Sequence, residues 1–234
     1  MAISEDTSNQ PVAVHVTSAT TGTTASFSPG AATLQLALVS VDGPNNAATT
    51  VVMSSSVAGA WTLLKRENIN TGVTTGGSTE VWCRYFGSAP GAMTVTATWT
   101  TGAVGGNLVV RSLLGAAPVQ PGATGATGGD NVAPTATLTP TQFGSWIYGA
   151  SLAWVSAITF TANAASSVVD QFVDSTNGGT WATFKGATAT SSLASTAYGF
   201  SNGSASYNTA AAEILPAVVQ PTIIGQSISR ATIW

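Results

Sequence analysis

His15 is the only histidine, Cys83 the only cysteine, and there are nine acidic side chains in 234 residues. Any nucleophilic, acid–base or metal chemistry has to be built from these few. A Ser-His-Asp arrangement needs His15, which lies in Val12-Ala13-Val14-His15-Val16-Thr17. Strand alternation sets His15 opposite Val14 and Val16, where a surface residue belongs, and no Gly-x-Ser-x-Gly stands in a strand-turn-helix setting. A glycosidase needs two carboxylates about 5 to 9.5 Å apart. Asp170 and Asp174 share a strand face but stand about 13 Å apart at ~3.3 Å per residue. Glu80 and Glu213 meet only if their strands pair, and Glu80 has Arg84 on its own face as a surface partner. No Cys/His spacing suits zinc, and Asp42-Gly43-Pro44-Asn45-Asn46 reads as a turn before it reads as a calcium loop. The residues predict no catalytic, cofactor or metal site, and so a chain that is not an enzyme.

Aromatic side chains are the remaining candidates. Trp82 and Phe86 share a face with Glu80 and Arg84, which suits either a platform for a sugar ring or a contact with a second sheet or subunit. Trp61, Trp99, Trp146, Trp154 and Trp181 fall in hydrophobic runs and are expected in the core.

The elements that must position these residues are strands. In Met93-Thr94-Val95-Thr96-Ala97-Thr98-Trp99-Thr100 every second residue is threonine, the period-two mark of a strand with one buried face. Thr79 to Phe86 alternates as well. Further strands are expected at 12–17, 31–41, 60–67, 107–114, 134–138, 146–154, 167–174, 180–185 and 209–215. Turn signals separate them, such as Thr75-Gly76-Gly77, Ala89-Pro90-Gly91 and Asn177-Gly178-Gly179. This pattern predicts an all-β fold, an antiparallel two-sheet sandwich of jelly-roll or concanavalin-like type with extended terminal arms.

Three segments stand apart: a polar N-terminal arm at 1–11, a loop at 116–132 between the halves of a sandwich spanning 12–216, and a C-terminal arm at 217–234. Within the loop, Pro121 to Gly128 repeats Gly-Ala-Thr, too briefly for a collagen helix, and is expected to be flexible. The C-terminal arm carries Ile223, Ile224, Ile228, Ile233 and Trp234, and each such side chain gains about 1.5 to 3 kcal/mol when fully buried. Two placements are open to it: the last strand of its own sandwich, or a strand added to another subunit up to ~60 Å away at about 3.3 to 3.6 Å per residue.

Six basic and nine acidic residues give a net charge of −3, too little clustered positive charge for a phosphate backbone, so nucleic acid is not an expected partner. Residues 131–169 carry no charge, but serines and glycines interrupt the apolar run and no membrane span is expected. The first residues lack a basic segment and an apolar run, which predicts synthesis in a cytoplasm without a secretory signal. A surface with so little charge is weakly defended against association. Homo-oligomer contacts are therefore expected at Trp82, Phe86, the charge-free stretch and the apolar tail, while the few charges mark exposed faces.

The ordered series Ala60-Trp61-Thr62-Leu63-Leu64, Thr79-Glu80-Val81-Trp82, Met93-Thr94-Val95-Thr96-Ala97, Gly144-Ser145-Trp146 and Ala211-Ala212-Glu213-Ile214-Leu215-Pro216 resembles virion structural proteins of tailed bacteriophages, especially those infecting actinobacteria. The resemblance spans most of 12–216. It implies a jelly-roll-like subunit of the virion, a minor tail or tail-tip protein or else a capsid accessory or decoration protein, assembling with other virion proteins and without catalytic residues. A carbohydrate-binding module that recognises host surface glycan is the alternative from another class.

Overall fold

The computed structural model describes residues 1–45, 49–68, 75–99, 105–153, 157–202 and 204–218. Sixteen strands follow in chain order: β1 Ser4–Glu5, β2 Val14–Val16, β3 Thr21–Thr23, β4 Thr33–Asn45, β5 Val51–Ser55, β6 Thr62–Glu67, β7 Thr75–Phe86, β8 Val95–Trp99, β9 Gly106–Leu114, β10 Thr124–Val132, β11 Thr135–Leu138, β12 Trp146–Ala153, β13 Ser166–Asp174, β14 Gly179–Gly186, β15 Thr196–Gly199 and β16 Ser204–Ile214. The antiparallel sandwich is there, but doubled. A three-stranded sheet, β3-β8-β5, covers one face of a six-stranded sheet, β1-β9-β4-β7-β6 with β2 also on β9. The opposite face of that sheet packs on a five-stranded sheet, β10-β16-β12-β14-β13, whose far side is covered by β11-β15.

Burial on both faces explains the sequence of the central strands. On β4, Leu34, Leu36 and Leu38 face the five-stranded sheet while Ala37, Val39 and Val41 face the three-stranded one, and all six are buried. Strand β12 is likewise central and buried from Ile147 to Ala153. The charge-free stretch is therefore interior where it forms β12, which corrects the expectation of a subunit contact there. Among the described residues no helix is long and apolar enough to cross a membrane.

The two sandwiches repeat one topology. The row Val14, Leu108, Val39, Glu80, Arg66 across the six-stranded sheet matches the row Thr127, Thr209, Ser151, Ala182, Gln171 across the five-stranded one. The next row, His15, Asn107, Ser40, Thr79, Glu67, matches Gly128, Asn208, Leu152, Trp181, Phe172. Each edge hairpin carries a register shift at the corresponding place, between Leu63 and Lys65 and between Val168 and Asp170. The smaller sheets agree: Thr21 opposite Thr98 matches Thr135 opposite Gly199, and Val51 opposite Trp99 matches Ala162 opposite Phe200. The halves meet through their large sheets, so that β2 faces β13 and β10 faces β6. That is the arrangement of a two-fold dimer joined into one chain.

The segment expected to be a flexible loop is structured, and the N-terminal arm is docked. Residues 124–132 are β10, paired along β16 from Ala212 to Ser204. The glycines of the Gly-Ala-Thr run sit where neighbours come close: a methyl group on Gly125 would lie 2.6 Å from the Thr137 carbonyl oxygen, and one on Gly122 would enter the space of the Glu213 carboxylate. Close approach, not looseness, is what these glycines provide. The N-terminal arm lies on its own chain, with Ser4 and Glu5 paired to Leu114 and Leu113 and Ile3 buried between the large sheets. The C-terminal arm is described only to Val218, and Ile223, Ile224, Ile228, Ile233 and Trp234 lie outside the described residues.

Candidate functional site

Trp82 and Phe86 do face one way, as alternation predicts, but they do not form an open platform. Phe86 is buried in the core against the three-stranded sheet, and Trp82 is half-buried beside it. The Arg84 guanidinium lies 4.4 Å from the Phe86 ring centroid and donates to Ser55 Oγ, the Val57 carbonyl and the Ala58 carbonyl. The 55–58 segment is thereby held across this face. Trp61, Trp99 and Trp181 are core residues as expected, and Trp146 is half-buried. Trp154 lies outside the described residues.

Glu80 is fully buried, and its partner is Arg66 rather than Arg84. Arg66 is directly opposite on β6 and donates through Nε to Oε1 at 2.7 Å and through Nη2 to Oε2 at 3.1 Å. Arg84 lies four residues along the strand, about 13 Å away at ~3.3 Å per residue. Ser78 Oγ (2.8 Å), Trp82 Nε1 (2.7 Å) and the Val51 N–H (2.9 Å) complete the shell. Glu213 is also fully buried and accepts from the N–H groups of Ala123, Thr141 and Gln142 and the hydroxyls of Thr141 and Ser145 at 2.7 to 3.1 Å. Burial pushes its pKa up, but the Ala123, Ser145 and Thr141 bonds outweigh it and hold the carboxyl below its usual range. Glu80 and Glu213 sit in different sheets, each enclosed by donors of its own half.

His15 is no isolated surface residue. Its Nε2 lies 2.9 Å from Asp170 Oδ2, which also accepts from Asn107 Nδ2 at 2.7 Å. The imidazole stacks on Phe172 at 4.6 Å between centroids, and Phe172 stacks on Trp181. Burial raises the Asp170 pKa, while the His15 bond and charge, Asn107 and Arg111 lower it below the ordinary value overall. Sequence alternation placed His15 on the correct side of β2, but the facing sheet was invisible. Among the described residues no hydroxyl or thiol is hydrogen-bonded to His15, so the pair lacks a nucleophile. Residues 199–203 carry the letters Gly-Phe-Ser-Asn-Gly, yet Ser201 Oγ donates to the Thr161 carbonyl and no helix follows.

Asp174 is buried as well, contrary to its expected exposure; it accepts from the N–H groups of Thr176 and Asn177 and from Asn177 Nδ2. Its charge bears on Asp42, on the other half. Burial first, then Asp174, push the Asp42 carboxyl up to about 6, against the Gly43 N–H that donates to it at 2.8 Å. Strand β4 runs through Asp42 to Asn45, so the expected turn at 42–46 is strand over its described part. Among the described residues there is no group of three or more His, Cys, Asp or Glu arranged to hold a metal ion.

A folded-state pKa of about 6 against 3.8 unfolded makes Asp42 stabilising below pH 3.8 and progressively less so as pH rises through 6. Asp42→Asn is therefore expected to stabilise the protein by about 3 kcal/mol at pH 8 and to change nothing at pH 3.5. Urea midpoints at the two pH values check this, and equal effects at both would contradict it.

The remaining cluster lies at the seam of the two halves. Ile3, Ser4, Glu5 and Thr7 from the N-terminal segment and Trp146, Tyr148 and Lys185 from the five-stranded sheet line a cavity of about 180 Å³. Glu5 Oε1 accepts from Lys185 Nζ at 2.7 Å and from the Tyr148 hydroxyl at 3.0 Å, while Arg111 Nε stands 3.7 Å from Oε2. Burial raises the Glu5 pKa, and Lys185, Tyr148 and Arg111 together bring it below the usual carboxylate range. Lys185 Nζ lies 5.4 Å from the Trp146 ring centroid. No sequence signal links Glu5 to residues 180 positions away. Comparison with protein-family models, with curated proteins and with solved structures found no match.

Proposed function

We propose that the chain is a non-enzymatic structural component of a bacteriophage virion, a minor tail or tail-tip protein by preference and a capsid decoration protein as the second placement. The observation that carries this reading is the use made of the acidic side chains. Glu5, Glu80, Glu213, Asp170 and Asp174 each accept hydrogen bonds from donors of the same chain, and each fastens strands or loops together. The scarce charge is employed in holding a stack of sheets, as a building block requires, and the ordered motif series agrees with it. Each half is read as a jelly-roll variant, because from β2 to β9 the strands alternate between the two sheets except at the β6-β7 hairpin, and from β10 to β16 they do so except at β13-β14 once the Ala162–Phe200 bridge is counted with the smaller sheet.

Assembly in this reading uses the apolar residues beyond Val218. The Met1 amino group donates to the Ala217 carbonyl oxygen at 3.2 Å, and Ala217 N–H donates to the Gly115 carbonyl oxygen, so the chain leaves the fold beside its own N-terminus. Deleting 219–234 spares both bonds. The truncated protein is expected to be a monomer by light scattering where the full chain is an oligomer, and an oligomer of unchanged size would refute the role given to the tail. The glycan-recognition alternative keeps one specific support, the seam cavity.

A further inference from the structure

The geometry points to the seam cavity as a binding site for one neutral sugar ring, a function independent of the virion reading. With about 180 Å³ of space the cavity has room for a ligand on the scale of one sugar ring. Its wall has the composition that recognises sugars: one aromatic ring for the C–H face and a few convergent polar groups for the hydroxyls. Trp146 supplies the ring. Glu5 Oε2 accepts no hydrogen bond within 3.5 Å among the described residues, and Lys185 has three N–H donors with one placed on Glu5. An acceptor and free donors side by side match vicinal hydroxyls, each of which gives and takes a hydrogen bond. Glu5 is paired with Lys185 at 2.7 Å and with Arg111 at 3.7 Å, and Arg111 also bears on Asp170, so two carboxylates and two cations balance across the seam and an uncharged ligand meets no unpaired charge.

The internal copy argues that this polar set is not required by the fold. By the matched registers, Trp146, Tyr148 and Lys185 correspond to Leu34, Leu36 and Cys83, all three buried in the core between the large sheets. Glu5, opposite Leu113, corresponds to the place opposite Ile214, where Gly122 lies beside β16. The same architecture thus closes one seam with leucines and a cysteine and furnishes the other with a carboxylate, an ammonium, a phenol and an indole.

Titrating the full chain with glucose, galactose and N-acetylglucosamine, observed through the Trp146 indole N–H and the Glu5 and Lys185 resonances by NMR, tests the assignment. At least one sugar is expected to give a saturable shift at all three residues with a Kd of about 1 mM, near the weak end of specific binding. Trp146→Leu installs the residue that the internal copy already uses, and it should weaken binding at least tenfold while the urea midpoint stays close to the parent's. Should that variant not fold, Glu5→Gln, which keeps the shape and removes the charge, is expected to give the same loss. Absence of a saturable shift with all three sugars overturns the proposal, as does binding unaffected by the substitution. Glycine shifting these resonances in place of the sugars would make the site one for a zwitterion and overturn the neutral-ligand assignment.

Discussion

Replacing Glu80 with alanine is expected to destabilise the protein by about 3–5 kcal/mol, the cost of removing one partner from a buried ion pair. The carboxylate is 0% exposed and is the common acceptor for Arg66, Ser78, Trp82 and the Val51 N–H. Without it the Arg66 guanidinium remains in a partly buried place with no counter-charge, and the link from β7 to β5 in the covering sheet is lost. Arg84→Ala, by contrast, should cost less, since Arg84 is half-buried and bonds chiefly to loop carbonyls that water can reach. Urea unfolding of the two variants separates these effects. A Glu80→Ala loss below about 1 kcal/mol, the range of an exposed pair, would show that Glu80 does not fasten the sheets.

Glu213→Ala is expected to be comparably severe, at about 3 kcal/mol, because it removes the common acceptor of five donors, of which only the Ser145 hydroxyl has other acceptors in the fold, and each buried donor left unmade costs about 1–3 kcal/mol. Three of these donors are backbone N–H groups at Ala123, Thr141 and Gln142, where the chain enters β10 and leaves β11. The pH dependence has a definite sign. A carboxyl held below its ordinary pKa of 4.5 stabilises the fold above that value, and the contribution is lost as pH falls through the depressed folded value. Glu213→Gln should therefore lie well below the parent in stability at pH 7 and converge with it in acid. Parallel acid unfolding curves for the two proteins would contradict the role assigned to this carboxylate.

Alternation along the chain was enough to find the long strands. Each of the eleven runs read as strand overlaps one, because their inward and outward faces differ in residue type. Strands β3 and β10 escaped for a physical reason: their glycines and threonines have no apolar side to display, as in Thr21-Gly22-Thr23 and Thr124 to Gly129, while β1, β5 and β15 are two to five residues long, too short for alternation to stand out. The doubling of the sandwich was illegible for a related reason. Of ten residue pairs in the two matched rows, only Asn107 and Asn208 are the same residue, so the repeat lies in register and bulge position and not in letters. Composition misled in one respect. Scarce charges were expected to mark exposed faces, but Glu80, Glu213 and Asp174 are among the most enclosed groups in the chain. When charges are few and both faces of a large sheet are covered, the carboxylates that remain can be those that hold buried donors together. The seam sites at Glu5 and His15 depend on contacts 180 and 155 residues apart, which only the packing of one half on the other creates.

The central claim is that the chain is a building block of a particle. It is tested most directly by imaging purified virions from cells that express it, after labelling with gold-tagged antibody raised against residues 1–218. The account predicts gold at the tail or its tip, in a fixed number of positions per particle. Purified particles without gold, with the protein left in the soluble fraction, would contradict it.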